Sequence, residues 1–155
     1  MDYFKFEKRI DDKLYRLNIW DVSGNEMDDK VLPRYLYRNV DLYVLVFSLD
    51  NIHSLNNLKH WVKLTENKNL ILVKNKTDLK RISEDTIRKF REEVLKNEVF
   101  FEKEFHTNYR DYNSLKRLFN YFYEKFSGIT QSTEEEDASE KKKCFDFCNF
   151  CRICF

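Results

Sequence analysis

Two short polar segments carry residue types that suit nucleotide chemistry, and each directly follows an apolar stretch. In the first, Asp21 and Gly24 come after Leu17, Ile19 and Trp20, which we expect to form a buried strand. A carboxylate can hold a water molecule on Mg²⁺, and a glycine lets a backbone N–H approach a phosphate oxygen closely. An ordinary turn after a strand has the same Asp-x-x-Gly pattern, so this segment needs support from the rest of the chain.

The second segment, Asn75-Lys76-Thr77-Asp78, follows the apolar run Leu70-Ile71-Leu72-Val73. The carboxylate of Asp78 can accept two hydrogen bonds from the N–H edge of guanine, which adenine lacks, and leaving such an acceptor unpaired is costly. Asn75 can bond the base and neighbouring loops, and the stem of Lys76 can cover the ring. This segment therefore predicts a guanine site.

The two segments follow each other in this order, each at the end of a strand, as in the small GTPases, which the chain therefore resembles. The residues around them resemble the Rab branch of that family. Trp20–Glu26 is similar to the family's Trp-Asp-Thr-Ala-Gly-Gln-Glu, and Tyr-Leu-Tyr-Arg at residues 35–38 to its Tyr-Tyr-Arg. Residues 44–49 fit the strand that follows in this family, and residues 58–61 fit its next helix. Residues 72–79 fit the family's base-recognition segment. The resemblance covers residues 2–126.

The resemblance implies a switch that binds GTP or GDP with Mg²⁺ and directs vesicle traffic. Asp21 would hold Mg²⁺ through a water molecule, and Gly24 would contact the γ-phosphate. Residues 25–38 would move and contact Rab effectors or regulators. The residues implied for the base are Asn75, Lys76, Asp78, Thr107 and Asn108. The last two align poorly with the family's Ser-Ala-Lys loop, so an ordinary loop is an equal alternative for them.

The chain departs from the family at the phosphate site. Its glycines are Gly24 and Gly128 alone, so it contains no Gly-x-x-x-x-Gly-Lys loop. The family's switch threonine has no counterpart, because Met1 comes too late for it. Asn25 replaces the water-positioning Gln and is one methylene shorter, so hydrolysis should be slow or absent. We expect GTP binding and hydrolysis to be weakened or lost, which leaves enzymatic activity open. The alternatives are a non-enzymatic, membrane-tethered binding module and a fragment of a full-length Rab GTPase.

Alternating strands and helices predict an α/β fold. It should be an incomplete Ras-like P-loop NTPase fold, with a mostly parallel sheet, an antiparallel N-terminal hairpin and helices on both faces. Predicted strands cover residues 3–10, 13–20, 41–49, 70–73 and 99–101, the last extending to Phe105. Predicted helices cover residues 52–65, 84–96 (capped by Ser83) and 113–126, the last with Phe126 in its buried stripe.

The family's first strand, which lies between the hairpin and the strand at residues 41–49, is missing. The hairpin could pair there directly, a partner could supply a strand, or the reading frame could be incomplete, which we favour.

Composition divides the chain into a G domain at residues 1–127, a polar, disordered linker at 128–143 and a Cys/Phe-rich tail at 144–155. The 28 Lys and Arg against 27 Asp and Glu give a net charge of +1, which does not favour nucleic-acid binding. The 4 cysteines all lie in the tail, so a reducing, cytoplasmic location fits the rest of the chain. We expect a monomer.

The tail cysteines admit three interpretations. Rab proteins end in prenylated cysteines, which predicts lipid on Cys151 and Cys154 and a peripheral location on endomembranes, helped by the lysines at 141–143. Cys154 is followed by Phe155, so the simple prenylation rule does not apply, and palmitoylation is an alternative. Zinc binding is a second interpretation, although four ligands so close in sequence enclose an ion poorly. A non-functional apolar tail is the third.

Overall fold

The computed structural model describes residues 2–10, 12–22, 40–65, 69–79, 81–95 and 100–127. Several predictions from the sequence concern residues outside these ranges: Gly24, Asn25, the effector segment 25–38, the linker 128–143, and the tail with Cys151 and Cys154.

The described residues alternate strands and helices, as an α/β protein does. The strands are β1 (Asp2–Ile10), β2 (Lys13–Asp21), β3 (Tyr43–Ser48), β4 (Leu70–Asn75) and β5 (Phe101–His106). The α-helices are α1 (Ile52–Leu64), α2 (Glu84–Leu95) and α3 (Tyr112–Ser127), and a 3-10 turn spans Thr77–Leu79. Within this described part of the chain, no helix is both long and apolar enough to cross a membrane.

Strands β3, β4 and β5 form a parallel sheet in that order, with β4 at its centre. Leu70 to Lys74 are all buried, as expected for a strand covered on both faces. One face packs with α1 and α2 in a cluster that includes Leu45, Leu58 and Ile87. The other face packs with α3 through a cluster that includes Ile71 and Leu118. The predicted fold class, with helices on both faces of a parallel sheet, is confirmed.

Strands β1 and β2 form a separate antiparallel hairpin. Its turn contains Asp12 at φ 62°, a left-handed conformation that Asp tolerates better than most residues. Side-chain packing attaches the hairpin to α3 and the sheet: the ring of Phe6 lies 6.2 Å from that of Phe119 on α3, and Leu17 packs against the cluster between α3 and the sheet. Among the described strands, β2 pairs with β1 alone, so the direct pairing with β3 considered above does not occur.

Three aromatic side chains differ from the predictions. Trp20 is 47% exposed, because strand alternation places it on the outer face of the hairpin with Arg16 and Asn18. Phe100 is 71% exposed and precedes β5, which begins one residue later. Phe126 is 45% exposed, one residue before the end of α3.

Candidate guanine-binding site

The predicted base-binding residues lie at the carboxyl edge of the parallel sheet. Because the strands are parallel, β3, β4 and β5 all end at this edge, with Ser48 opposite Asn75 and Lys74 opposite His106. The loops that follow β4 and β5 are therefore neighbours. Crevices at the carboxyl ends of strands are where open α/β sheets bind ligands.

Asn75 joins these two loops. Its Oδ1 accepts hydrogen bonds from the backbone N–H of Lys76 at 2.8 Å and from the hydroxyl of Thr107 at 3.2 Å. Backbone bonds reinforce the junction: Thr107 N donates to Lys74 O at 2.9 Å, and Thr77 N donates to Thr107 O at 3.3 Å. Thr107 is only 2% exposed, so its hydroxyl serves the junction rather than solvent. The structure thus brings Asn75 and Thr107, both predicted site residues, into direct contact.

Lys76 has a left-handed backbone, with φ 57°, which is uncommon and unfavourable for a lysine. Its N–H is bound by Asn75, its carbonyl accepts from Leu79 N at 2.9 Å, and its Nζ lies 3.4 Å from Asp50. A hydrogen bond from the Ser48 hydroxyl lowers the pKa of Asp50, and the Lys76 ammonium contributes to the same shift. The strained residue is thereby fixed between the ends of β3 and β4.

Asp78 lies in the 3-10 turn after β4, with its side chain 19% exposed. A carboxylate this sheltered, but still open on one side, suits hydrogen bonding to a planar base edge. Its Oδ2 lies 4.0 Å from Nη1 of Arg110, a residue of the loop after β5. Nothing in the sequence pattern singles out Arg110, since the contact depends on how that loop folds.

Asn108 gives its loop a defined shape. Its Oδ1 accepts from Arg110 N at 2.8 Å, and its own N–H donates to Ser114 Oγ at 3.2 Å. Asp111 Oδ1 accepts from Asn113 N at 3.1 Å and so caps the start of α3. The backbone N–H of Asn108 can face a base only if it gives up its bond to Ser114.

Behind the site, a charged cluster joins β4, β5 and α2. Lys74, whose side chain is 4% exposed, places Nζ 3.1 Å from Glu104 Oε2. Glu104 also accepts a hydrogen bond from Arg91 of α2. A buried ammonium requires a partner of this kind, and the pair fixes the residue that directly precedes Asn75.

The other predicted half of the site begins on the hairpin. Asp21, 8% exposed, is the last residue of β2, and Val22 packs against the cluster on the α1 and α2 face of the sheet. Among the described residues, no group of three or more His, Cys, Asp or Glu side chains could hold a metal ion.

The outer face of the hairpin carries a feature that the sequence analysis missed. The rings of Tyr3 and Trp20 lie 4.6 Å apart, and both residues are about half exposed. Tyr3 Oη donates to Asn18 Oδ1 at 2.7 Å and so holds its ring beside Trp20. Strand alternation was the signal that could have placed both rings outside, since Tyr3 and Trp20 are opposite each other in the register.

Comparisons with known proteins agree with this α/β fold. A family model described as Ras family matches residues 1–127. This chain therefore belongs to the Ras family.

Its relatives include Rab proteins. The chain is 31% identical over 121 residues to the Ras-related protein Rab-11B of Dictyostelium discoideum, covering 72% of this chain and 51% of that protein. It is 32% identical over 104 residues to the Ras-related protein RabO of the same organism, and the match covers 63% of this chain and 47% of RabO. It is 37% identical over 82 residues to the GTP-binding protein yptV2 of Volvox carteri, and the match covers 49% of this chain and 37% of yptV2. The predicted resemblance to Rab-type small GTPases is confirmed, and the chain spans about half the length of these relatives or less.

Proposed function

We propose that this chain binds guanine nucleotides as a Rab-type GTP-binding protein, with Asn75, Lys76 and Asp78 contacting the base. The observation that supports this most is the bond between Asn75 Oδ1 and Thr107, which holds two loops together beside the sheltered carboxylate of Asp78. A site fixed before binding loses less entropy when the base arrives. Thr107 and Asn108, in the loop after β5, would support the loop after β4 that carries Lys76 and Asp78.

The phosphate end of the proposed site is weaker. Asp21 would hold Mg²⁺ through water, Gly24 would face the γ-phosphate, and phosphate oxygens would supply most of the ligands, as Mg²⁺ sites commonly use them. With Asn25 in place of a Gln and no Gly-rich loop in this sequence, we propose that nucleotide binds weakly and that hydrolysis is slow.

A competition titration tests the proposal. Fluorescently labelled GTP is titrated into the protein with Mg²⁺ and then displaced by unlabelled GTP, GDP or ATP. The proposal expects displacement by GTP and GDP and little by ATP, because ATP lacks the edge that Asp78 recognises. Equal displacement by ATP contradicts base recognition, and the absence of labelled-GTP binding contradicts nucleotide binding altogether.

In cells, the proposed role is in vesicle trafficking at the cytoplasmic face of endomembranes. Residues 25–38 would contact effectors or regulators, and Cys151 and Cys154 would carry lipid. Two lipid chains give stable anchoring where one gives only reversible binding. Mass spectrometry of the C-terminal peptide from native membranes tests this, since unmodified thiols at both cysteines would refute it.

The exposed pair of Tyr3 and Trp20 favours a second candidate, a binding module that does not depend on nucleotide. Aromatic side chains are enriched where proteins bind one another, and this pair is held open to solvent on the hairpin. The competition titration separates the two candidates. If no guanine nucleotide binds and the protein remains folded, the binding module is favoured.

A further inference from the structure

The carboxylate proposed to recognise guanine already has a cation beside it. Nη1 of Arg110 lies 4.0 Å from Oδ2 of Asp78, where the side chain of Asp78 is 19% exposed and that of Arg110 is 69% exposed. This is ion-pair distance, but it is too long for a hydrogen bond. Arg110 therefore offsets the charge of Asp78 without satisfying its acceptor oxygens.

Contacts within its own loop place Arg110 there. Its Nε donates to Tyr109 Oη at 2.7 Å, and its guanidinium carbon lies 5.2 Å from the centre of the Tyr109 ring. Its backbone N–H is fixed by Asn108 Oδ1 at 2.8 Å. The guanidinium is thus held near Asp78 by contacts that do not involve Asp78.

A guanidinium and the recognition edge of guanine present the same chemistry. Each is planar and offers neighbouring N–H donors, which a carboxylate accepts as a parallel pair. A carboxylate whose charge is already offset by a cation is a weaker acceptor for guanine, and the guanidinium can itself move closer and form a parallel pair with Asp78. Arg110 and guanine therefore compete for Asp78.

We propose that Arg110 is a built-in competitor of guanine and that it lowers the affinity of the base site. When guanine binds, the guanidinium leaves Asp78 and stays on the ring of Tyr109. This inference rests on the proposed function, because it assumes that Asp78 recognises guanine.

The test uses guanosine, which has no phosphate that Arg110 could bind. Binding of guanosine to the full chain is followed by NMR for the unchanged protein and for Arg110→Gln. We expect Arg110→Gln to tighten binding about two- to fivefold, the range of an exposed ion pair. Arg88→Gln is the matched control, because Arg88 is 64% exposed and pairs with Asp85 and Glu92 of its own helix, α2. It should leave the affinity unchanged.

Salt gives a second measurement. Added salt screens exposed ion pairs, so guanosine should bind the unchanged protein more tightly as the salt concentration rises. In Arg110→Gln this gain should disappear. Unchanged or weaker binding in Arg110→Gln, with binding still lost in Asp78→Ala, overturns the role of Arg110 alone. If guanosine binds neither the unchanged protein nor Arg110→Gln, both this inference and the proposed function fail.

Discussion

The carboxyl edge of the parallel sheet, which we propose contacts the base and call the base-contact edge, and the end of the hairpin are held in place differently. At the base-contact edge, backbone and side-chain hydrogen bonds join the loops after β4 and β5, with Asn75 at their centre. At the hairpin end, the described contacts to the sheet include the packing of Leu17 and Val22, and β2 pairs only with β1 among the described strands. A guanine site at the base-contact edge would therefore be held by hydrogen bonds of the sheet itself. The position of Asp21 depends instead on the apolar packing of a separate hairpin.

The largest expected difference between the two regions is in the cost of truncating a leucine. Leu72, at the centre of β4, is fully buried, so Leu72→Ala should lower the free energy of unfolding by about 3–4 kcal/mol. Leu17→Ala, on the half-buried face of the hairpin, should cost about 1 kcal/mol. Urea denaturation followed by circular dichroism measures both. Equal losses would show that the hairpin is as integral to the core as β4.

The charged cluster behind the base-contact edge should give the next largest effect. Glu104→Ala removes the carboxylate shared by buried Lys74 and by Arg91, and we expect a loss of about 2–3 kcal/mol in unfolding free energy. Glu93→Ala is the control: Glu93 pairs with Lys59 at 2.6 Å but is 57% exposed, so its loss should stay below about 1 kcal/mol. If Glu104→Ala lowers the free energy of unfolding no more than Glu93→Ala does, then water replaces Glu104 as the hydrogen-bond partner of Lys74.

The bond between Thr107 and Asn75 can be removed with little change of shape by Thr107→Val. We expect about 1 kcal/mol less stability and guanosine affinity about threefold weaker, because Asn75 loses one of its two donors. Thr65→Val is the matched control, since Thr65 is also 2% exposed and donates its hydroxyl to Val62 O at 2.8 Å, at the end of α1. It should cost similar stability without changing affinity. An affinity change in both variants would point to a general loss of order.

Asp50 should give the smallest effect, and that effect should depend on pH. Hydrogen bonding from Ser48, and then the charge of Lys76, holds the pKa of Asp50 below that of an ordinary aspartate. A group with a lowered folded-state pKa contributes stability above its unfolded pKa and loses it as the pH falls through the folded value. Asp50→Asn should therefore lose less stability than the unchanged protein on acidification below about pH 4. Identical acid profiles would indicate that neither Ser48 nor Lys76 stabilises the charged form of Asp50.

Local patterns in the sequence predicted most of the fold. The apolar run of β4, the cap at Ser83 and the turn at Asp12 are each determined by neighbouring residues, and the structure has all three: Ser83 Oγ accepts from Thr86 N at 3.2 Å at the start of α2. The guanine motif was equally visible, because its residues are contiguous and follow a strand. Such short-range signals survive whatever surrounds them.

Features that depend on tertiary contacts were not predictable from those patterns. Trp20 looked buried by its type, but the face of the hairpin that it shares with Asn18 is the outer one. The sequence around Lys74 does not indicate that its charge is buried; its partner in the interior, Glu104, lies 30 positions later in the chain. Arg110 reaches Asp78 only because β4 and β5 are neighbours in the sheet.

The central claim, that the edge of β4 and β5 recognises guanine through Asp78, is tested most directly by comparing guanosine with inosine. Inosine keeps the ring N–H but lacks the exocyclic amino group, so it can give Asp78 one hydrogen bond instead of two. In a calorimetric titration of the full chain, guanosine should bind about tenfold more tightly or better, and the difference should vanish in Asp78→Ala. Equal affinities for the two nucleosides in the unchanged protein would contradict the claim.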